Sequence, residues 1–212
     1  MTFIDHIYAC MAAPILMGML FAGKRRKSVF LFILSGMTAC LFSAYINSFF
    51  AGAYGADIAT ATAEITPVVE EIMKLLPLLF YLLVFEPEQD RAQNAMLVIA
   101  VSFATFENIC WLTENGADQL NFLLLRGFST GAMHVVCGVL ISAGLAYAWR
   151  TTWLKVAGTA GLLCSAVTFH AMYNLLLSAG GAVRIIGYLL PIAAALLIFT
   201  ALKLLRLPKN PE

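Results

Sequence analysis

Seven stretches of mainly apolar residues, each near the roughly 20 residues that carry a helix across a bilayer, divide this chain. They lie near residues 4–23, 28–50, 64–85, 94–114, 122–149, 156–178 and 185–205. Composition agrees: 61% of residues are hydrophobic and 12% charged, where a soluble domain carries roughly 25% charge. Apolar surface in that excess needs lipid as its solvent. The chain therefore reads as all-α, a polytopic membrane helical bundle of about seven transmembrane helices. It reads as a single integral membrane domain over residues 1–212 of a cell (plasma or inner) membrane protein.

The positive charges set an orientation. Lys24, Arg25, Arg26, Lys27, Arg91, Arg150, Lys155, Lys203, Arg206 and Lys209 all fall in segments on one side, ten of the thirteen Lys and Arg residues. The opposite connections, Ala51 to Ala63, Glu114 to Asn121 and Ser178 to Arg184, are almost free of them. Cytoplasmic loops are the ones that collect Lys and Arg. The expectation is an N-terminus outside and a C-terminus inside (N-out/C-in). The run Ile7 to Gly23 ends in Lys24-Arg25-Arg26-Lys27 rather than a small-residue cleavage site, and so reads as a first span. A net charge of +1 gives nucleic acid no footing as a partner. Cys10, Cys40, Cys110, Cys137 and Cys164 form no CxxC pair and read as packing residues.

Against this background the ionisable residues inside the spans carry the functional information, since each is costly in a bilayer. The third span holds Glu70, Glu71 and Lys74; Glu70 meets Lys74 at i, i+4 and Glu71 meets it at i, i+3. One ammonium is thus in reach of either carboxylate. Pro77 follows, where its missing N–H predicts a kink. The fourth span carries Glu107 beside Asn108, the fifth His134 with Gly138 one turn on, and the sixth His170 with Asn174 on the same face. Glu70, Glu71, Glu107 and His170 lie about six to eight residues from one end of their spans, about 10–12 Å deep. His134 joins that level when Arg126 marks the interface. Imidazole and carboxylate are ligands that suit zinc, and a further carboxylate can serve as base. No soluble-type HExxH is present, so such a site has to be assembled between helices.

Glu70-Glu71-x-x-Lys74, Phe103-x-x-x-Glu107-Asn108, His134-x-x-x-Gly138 and His170-x-x-x-Asn174 resemble, in order and spacing, the four motifs of PrsW-type intramembrane proteases. These are distant relatives of the CAAX prenyl-protease and bacteriocin-immunity group. The resemblance covers about residues 64–178. It implies cleavage of a single-pass membrane protein, typically an anti-sigma factor, near the extracytoplasmic face by a glutamate-activated water at a metal. Carried onto this chain, it implies Glu70 and Glu71 as the catalytic pair, either of them the base. It implies Glu107, His134 and His170 as ligands of a zinc ion, and Asn174 as an oxyanion or supporting donor. Lys74, Asn108 and Arg126 would support them.

Rival classes make different demands. A proton-coupled transporter could use the same Glu and His residues as a relay, but broken helices and a two-fold repeat are not evident. A retinal receptor needs a lysine midway along its last span, and Lys203 lies at the end. Axial haem ligation by His134 and His170 leaves three carboxylates unexplained. A catalytically silent scaffold or immunity factor would keep the motifs without the chemistry.

Overall fold

Five of the seven long helices run past the apolar stretches that mark them at one or both ends, because a helix does not stop where a bilayer would. The computed structural model describes residues 3–148 and 152–206. It gives long helices α1 (Ile4–Phe21), α2 (Lys24–Tyr54), α4 (Thr66–Phe85), α5 (Gln89–Asn115), α6 (Leu120–Ala148), α7 (Thr152–Ser178) and α8 (Gly181–Arg206). Between α2 and α4 lie a one-turn helix α3 (Ile58–Thr60) and a π-helical turn (Ala61–Ile65). No strand occurs among the described residues. Two of the charges used to orient the chain, Arg150 and Lys209, lie outside them.

Six of the long helices are long and apolar enough to cross a bilayer. The exception is α4, and the reason is local: Glu70, Glu71 and Lys74 put three charges into little more than one turn. A helix of that kind is stable in lipid only if neighbours cover the charged face. Here α2, α5 and α7 do so, each packing on α4. Its opposite face carries Leu76, Phe80 and Leu83, which are exposed as lipid-facing residues should be. Pro77 is accommodated inside a helix that continues to Phe85.

Two apolar clusters bracket the charged residues. One gathers Leu75, Leu78, Met96, Ile99, Met133 and Ile141 from α4, α5 and α6. The other gathers Met37, Cys40, Phe103 and Phe106 from α2 and α5. Small residues bring the backbones close, as in many membrane helix pairs. A Cβ on Gly36 would lie 2.4 Å from the Ile99 carbonyl oxygen, and one on Gly138 would lie 3.1 Å from the Ala100 Cβ. The helix pairs α2–α5 and α5–α6 are thereby held tight around the position of Glu107.

Candidate active site

Of the two carboxylates within reach of Lys74, the structure pairs it with Glu71: Nζ donates to Oε1 across 2.6 Å, and both side chains are fully buried. The same Oε1 accepts from His170 Nδ1 at 2.8 Å. In the neutral imidazole that bond puts the proton on Nδ1, and the second nitrogen, Nε2, lies 3.9 Å from Glu70 Oε2. Carboxylate, histidine and a free second nitrogen make the arrangement that orients a metal-binding imidazole.

A second branch runs through His134. Lys74 Nζ lies 2.7 Å from His134 Nδ1. His134 Nε2 lies 2.7 Å from Glu107 Oε2. The other oxygen of Glu107 accepts from Arg126 Nη2 at 3.3 Å, and Arg126 Nη1 donates to Asn108 Oδ1. The guanidinium lies over the Trp111 ring, 4.4 Å from its centroid. Phe103 backs both Lys74 and His134, at 5.1 Å and 5.0 Å from its centroid. The two histidine rings meet edge to face at 5.3 Å. Exposure grades along the network: the Glu71, Lys74 and His134 side chains are at 0%, Arg126 at 13% and Glu107 at 28%. The network is therefore most open on its Glu107–Arg126 side.

Each sequence-predicted residue can now be placed. Glu70, Glu71, Lys74, Glu107, Asn108, Arg126, His134 and His170 form one connected group drawn from α4, α5, α6 and α7. Asn174 stands one turn beyond His170, and its side-chain amide donates to the Thr62 backbone oxygen at 2.9 Å. Donor atoms of Glu70, His134 and His170 all lie within 4.8 Å of one another. Glu107 is not one of that trio; it is held at His134 Nε2.

The trio fits a metal ion. Two imidazoles and a carboxylate form a zinc-type donor set. Glu70 Oε2 is buried with no hydrogen-bond partner, which is costly unless something else engages it. Glu71 Oε2 is in the same condition.

Sequence reasoning missed Thr130 and Tyr173, whose hydroxyls are 3.0 Å apart between α6 and α7. Their spacing signalled them: Thr130 lies midway between Arg126 and His134 at four-residue steps, and Tyr173 follows His170 by three. Trp111, four residues after Glu107, was legible in the same way.

Helices with charged groups turned inward and a Glu/His/His trio among them define the class: a helical membrane protein with a metal-capable site inside the bundle. The chain matches the family described as PrsW family intramembrane metalloprotease over residues 23–202, and it belongs to that family. The match is wider than the motif-bearing stretch. The protein is thus an intramembrane protease of the cell membrane, multi-pass, acting in lipid on a membrane-protein substrate. A family of metalloproteases implies a metal ion, and it does not favour the transporter reading. No curated protein and no solved structure matches the chain.

Proposed function

We propose that this protease hydrolyses a peptide bond of a membrane-anchored substrate near the extracytoplasmic face, using a glutamate-activated water at a zinc ion. The observation that carries this reading is the convergence of Glu70, His134 and His170 within 4.8 Å, beside a Glu71 oxygen that is buried and unpartnered. Glu70, His134 and His170 would hold the ion, and Glu71 would be the base that takes a proton from the attacking water. When bound, the ion supplies a Lewis acid and lowers the pKa of water. Glu71 keeps Oε1 on Lys74 and His170, so the carboxylate is fixed while Oε2 accepts. A histidine that bound an ion would have to be unprotonated at the nitrogen it offered, and Glu107 lies beside His134 Nε2 as a proton acceptor. Asn174 donates to the oxyanion that forms on the scissile carbonyl.

The site lies toward the end of the bundle where α4 and α6 begin and α5 and α7 end. The charge asymmetry of the connecting segments supports that end facing outside. The substrate helix has to unwind there, since a helix engages its own carbonyls. An anti-sigma factor, the substrate implied by the family resemblance, is a single-pass protein of this kind and the first to try.

A second assignment has one observation in its favour. Glu70 Oε2 is also unpartnered and lies near His170 Nε2, so Glu70 as base with Glu107 among the ligands is the alternative. The test is metal content and cleavage of a single-pass substrate for wild type, Glu70→Gln, Glu71→Gln and Glu107→Gln. Glu71→Gln, compared at a temperature where it remains folded, should keep more of its ion than Glu70→Gln and lose about 10²–10⁴-fold in turnover, while Glu70→Gln should lose both. Metal kept in Glu70→Gln but lost in Glu107→Gln selects the alternative. Full-rate cleavage by metal-stripped wild type removes the ion from both.

A further inference from the structure

The π-helical turn before α4 commits the Thr66 N–H to the Ala61 carbonyl, five residues back. In an α-helix that N–H would have gone to Thr62. The next amide in the same π register, at position 67, belongs to a proline and does not exist. The Thr62 carbonyl is thus denied both backbone donors, and it is this oxygen that accepts from Asn174 Nδ2 at 2.9 Å. A π-turn is an uncommon element that recurs at functional sites. Here it stands five residues before Glu70.

We propose that Pro67 is a positioning residue: by withholding its N–H, it keeps the Thr62 carbonyl free to hold the Asn174 amide in one orientation. An amide is planar and carries two N–H groups. Thr62 takes one, and that bond sets the direction of the other, which is the donor left for the oxyanion. The inference rests on the reading of Asn174 as oxyanion donor given above.

The experiment compares Asn174→Ala, Pro67→Ala, the double variant, and a protein with lactic acid at position 67. Lactic acid has alanine's side chain but an ester oxygen in place of the N–H, so it repeats the loss of the buried proline ring without adding a donor. Removing an oxyanion donor costs about 10²–10³ in kcat, and Asn174→Ala should show that loss. Pro67→Ala should lose at least tenfold in kcat with KM and metal content unchanged. The double variant should be no worse than Asn174→Ala alone, because both act through one amide. The lactic acid protein should keep most of the wild-type kcat. If Pro67→Ala and the lactic acid protein fall equally, the proline acts through packing and the inference is overturned. It is also overturned, alone, if Asn174→Ala is impaired and Pro67→Ala is not. An Asn174→Ala variant with wild-type kcat overturns the oxyanion reading itself, and the inference with it.

Discussion

Lys74 Nζ sits 2.7 Å from His134 Nδ1, and this contact decides which way the histidine faces the rest of the site. An ammonium has no lone pair, so Nδ1 is the acceptor and Nε2 carries the proton. That proton is the one Glu107 Oε2 receives at 2.7 Å. A single lysine therefore fixes the tautomer of one histidine and, through Glu71, the orientation of the other.

Replacing Lys74 by Met should be among the most damaging single changes in the chain. Methionine fills similar space but leaves the fully buried Glu71 without its counter-charge. Breaking a buried pair from one side costs about 3–5 kcal/mol. Reversible unfolding in detergent or bicelles should show a loss of that order, with cleavage abolished. A Lys74→Met variant as stable as wild type would mean that His170 alone satisfies Glu71.

Arg126 should not be replaceable by lysine. Its planar fork spans Glu107 and Asn108 while the guanidinium stacks on Trp111, and a compact ammonium does none of these together. Groups that orient an active-site ligand typically cost about 10–100-fold when lost. Arg126→Lys should fall in that range for turnover, with little change in melting temperature because the side chain is partly exposed.

Metal removal gives a direct check on the histidines. Dialysis against a chelator should abolish cleavage by the wild type, and added Zn²⁺ should restore it. His170→Ala, which removes the nitrogen nearest Glu70, should retain no ion and should not be restored. Recovery of His170→Ala by Zn²⁺ would show that the ion is held elsewhere.

The fold was largely legible because lipid imposes one rule, that apolar runs of bilayer length are helices, and the exceptions to apolarity mark the site. Glu70, Glu71, Glu107, His134 and His170 stood out for that reason, and the structure brings them together. Spacing alone did not choose between Glu70 and Glu71 as the partner of Lys74, since i, i+3 and i, i+4 are both contact distances. The choice is made by His170, which arrives from α7. Pro67 stands near a helix start, a position proline favours anyway, so its residue type alone carries no signal. Its missing N–H bears on the site only through the Thr62 carbonyl, which meets Asn174 of α7, 112 residues further along the chain than Thr62. Several helix ends were placed too far inward, because polar residues such as those of Gln89–Gln93 continue α5 beyond the apolar stretch.

The closeness of α2 and α5 yields a prediction that reaches the site from a distance. A Cβ on Gly36 would lie 2.1 Å from Ser102 Oγ and 2.4 Å from the Ile99 carbonyl oxygen. The serine can rotate, but the carbonyl is part of the α5 backbone and moves only if the helix does. Gly36→Ala should therefore destabilise by about 1–3 kcal/mol, the usual cost of overpacking. Ser102→Ala in the same chain should not restore it. Gly161→Ala on α7, where nothing lies within 4 Å, should be neutral or slightly stabilising, since alanine suits a helix interior better than glycine. Because Glu107 lies on α5 little more than one turn past Ser102, a shift of α5 also moves Glu107 against His134. Gly36→Ala should then lose turnover even at temperatures where it remains folded, and Gly161→Ala should not. Thermal melts run alongside cleavage assays separate the two effects, and equal behaviour of the two alanines would show that the α2–α5 contact is not tight.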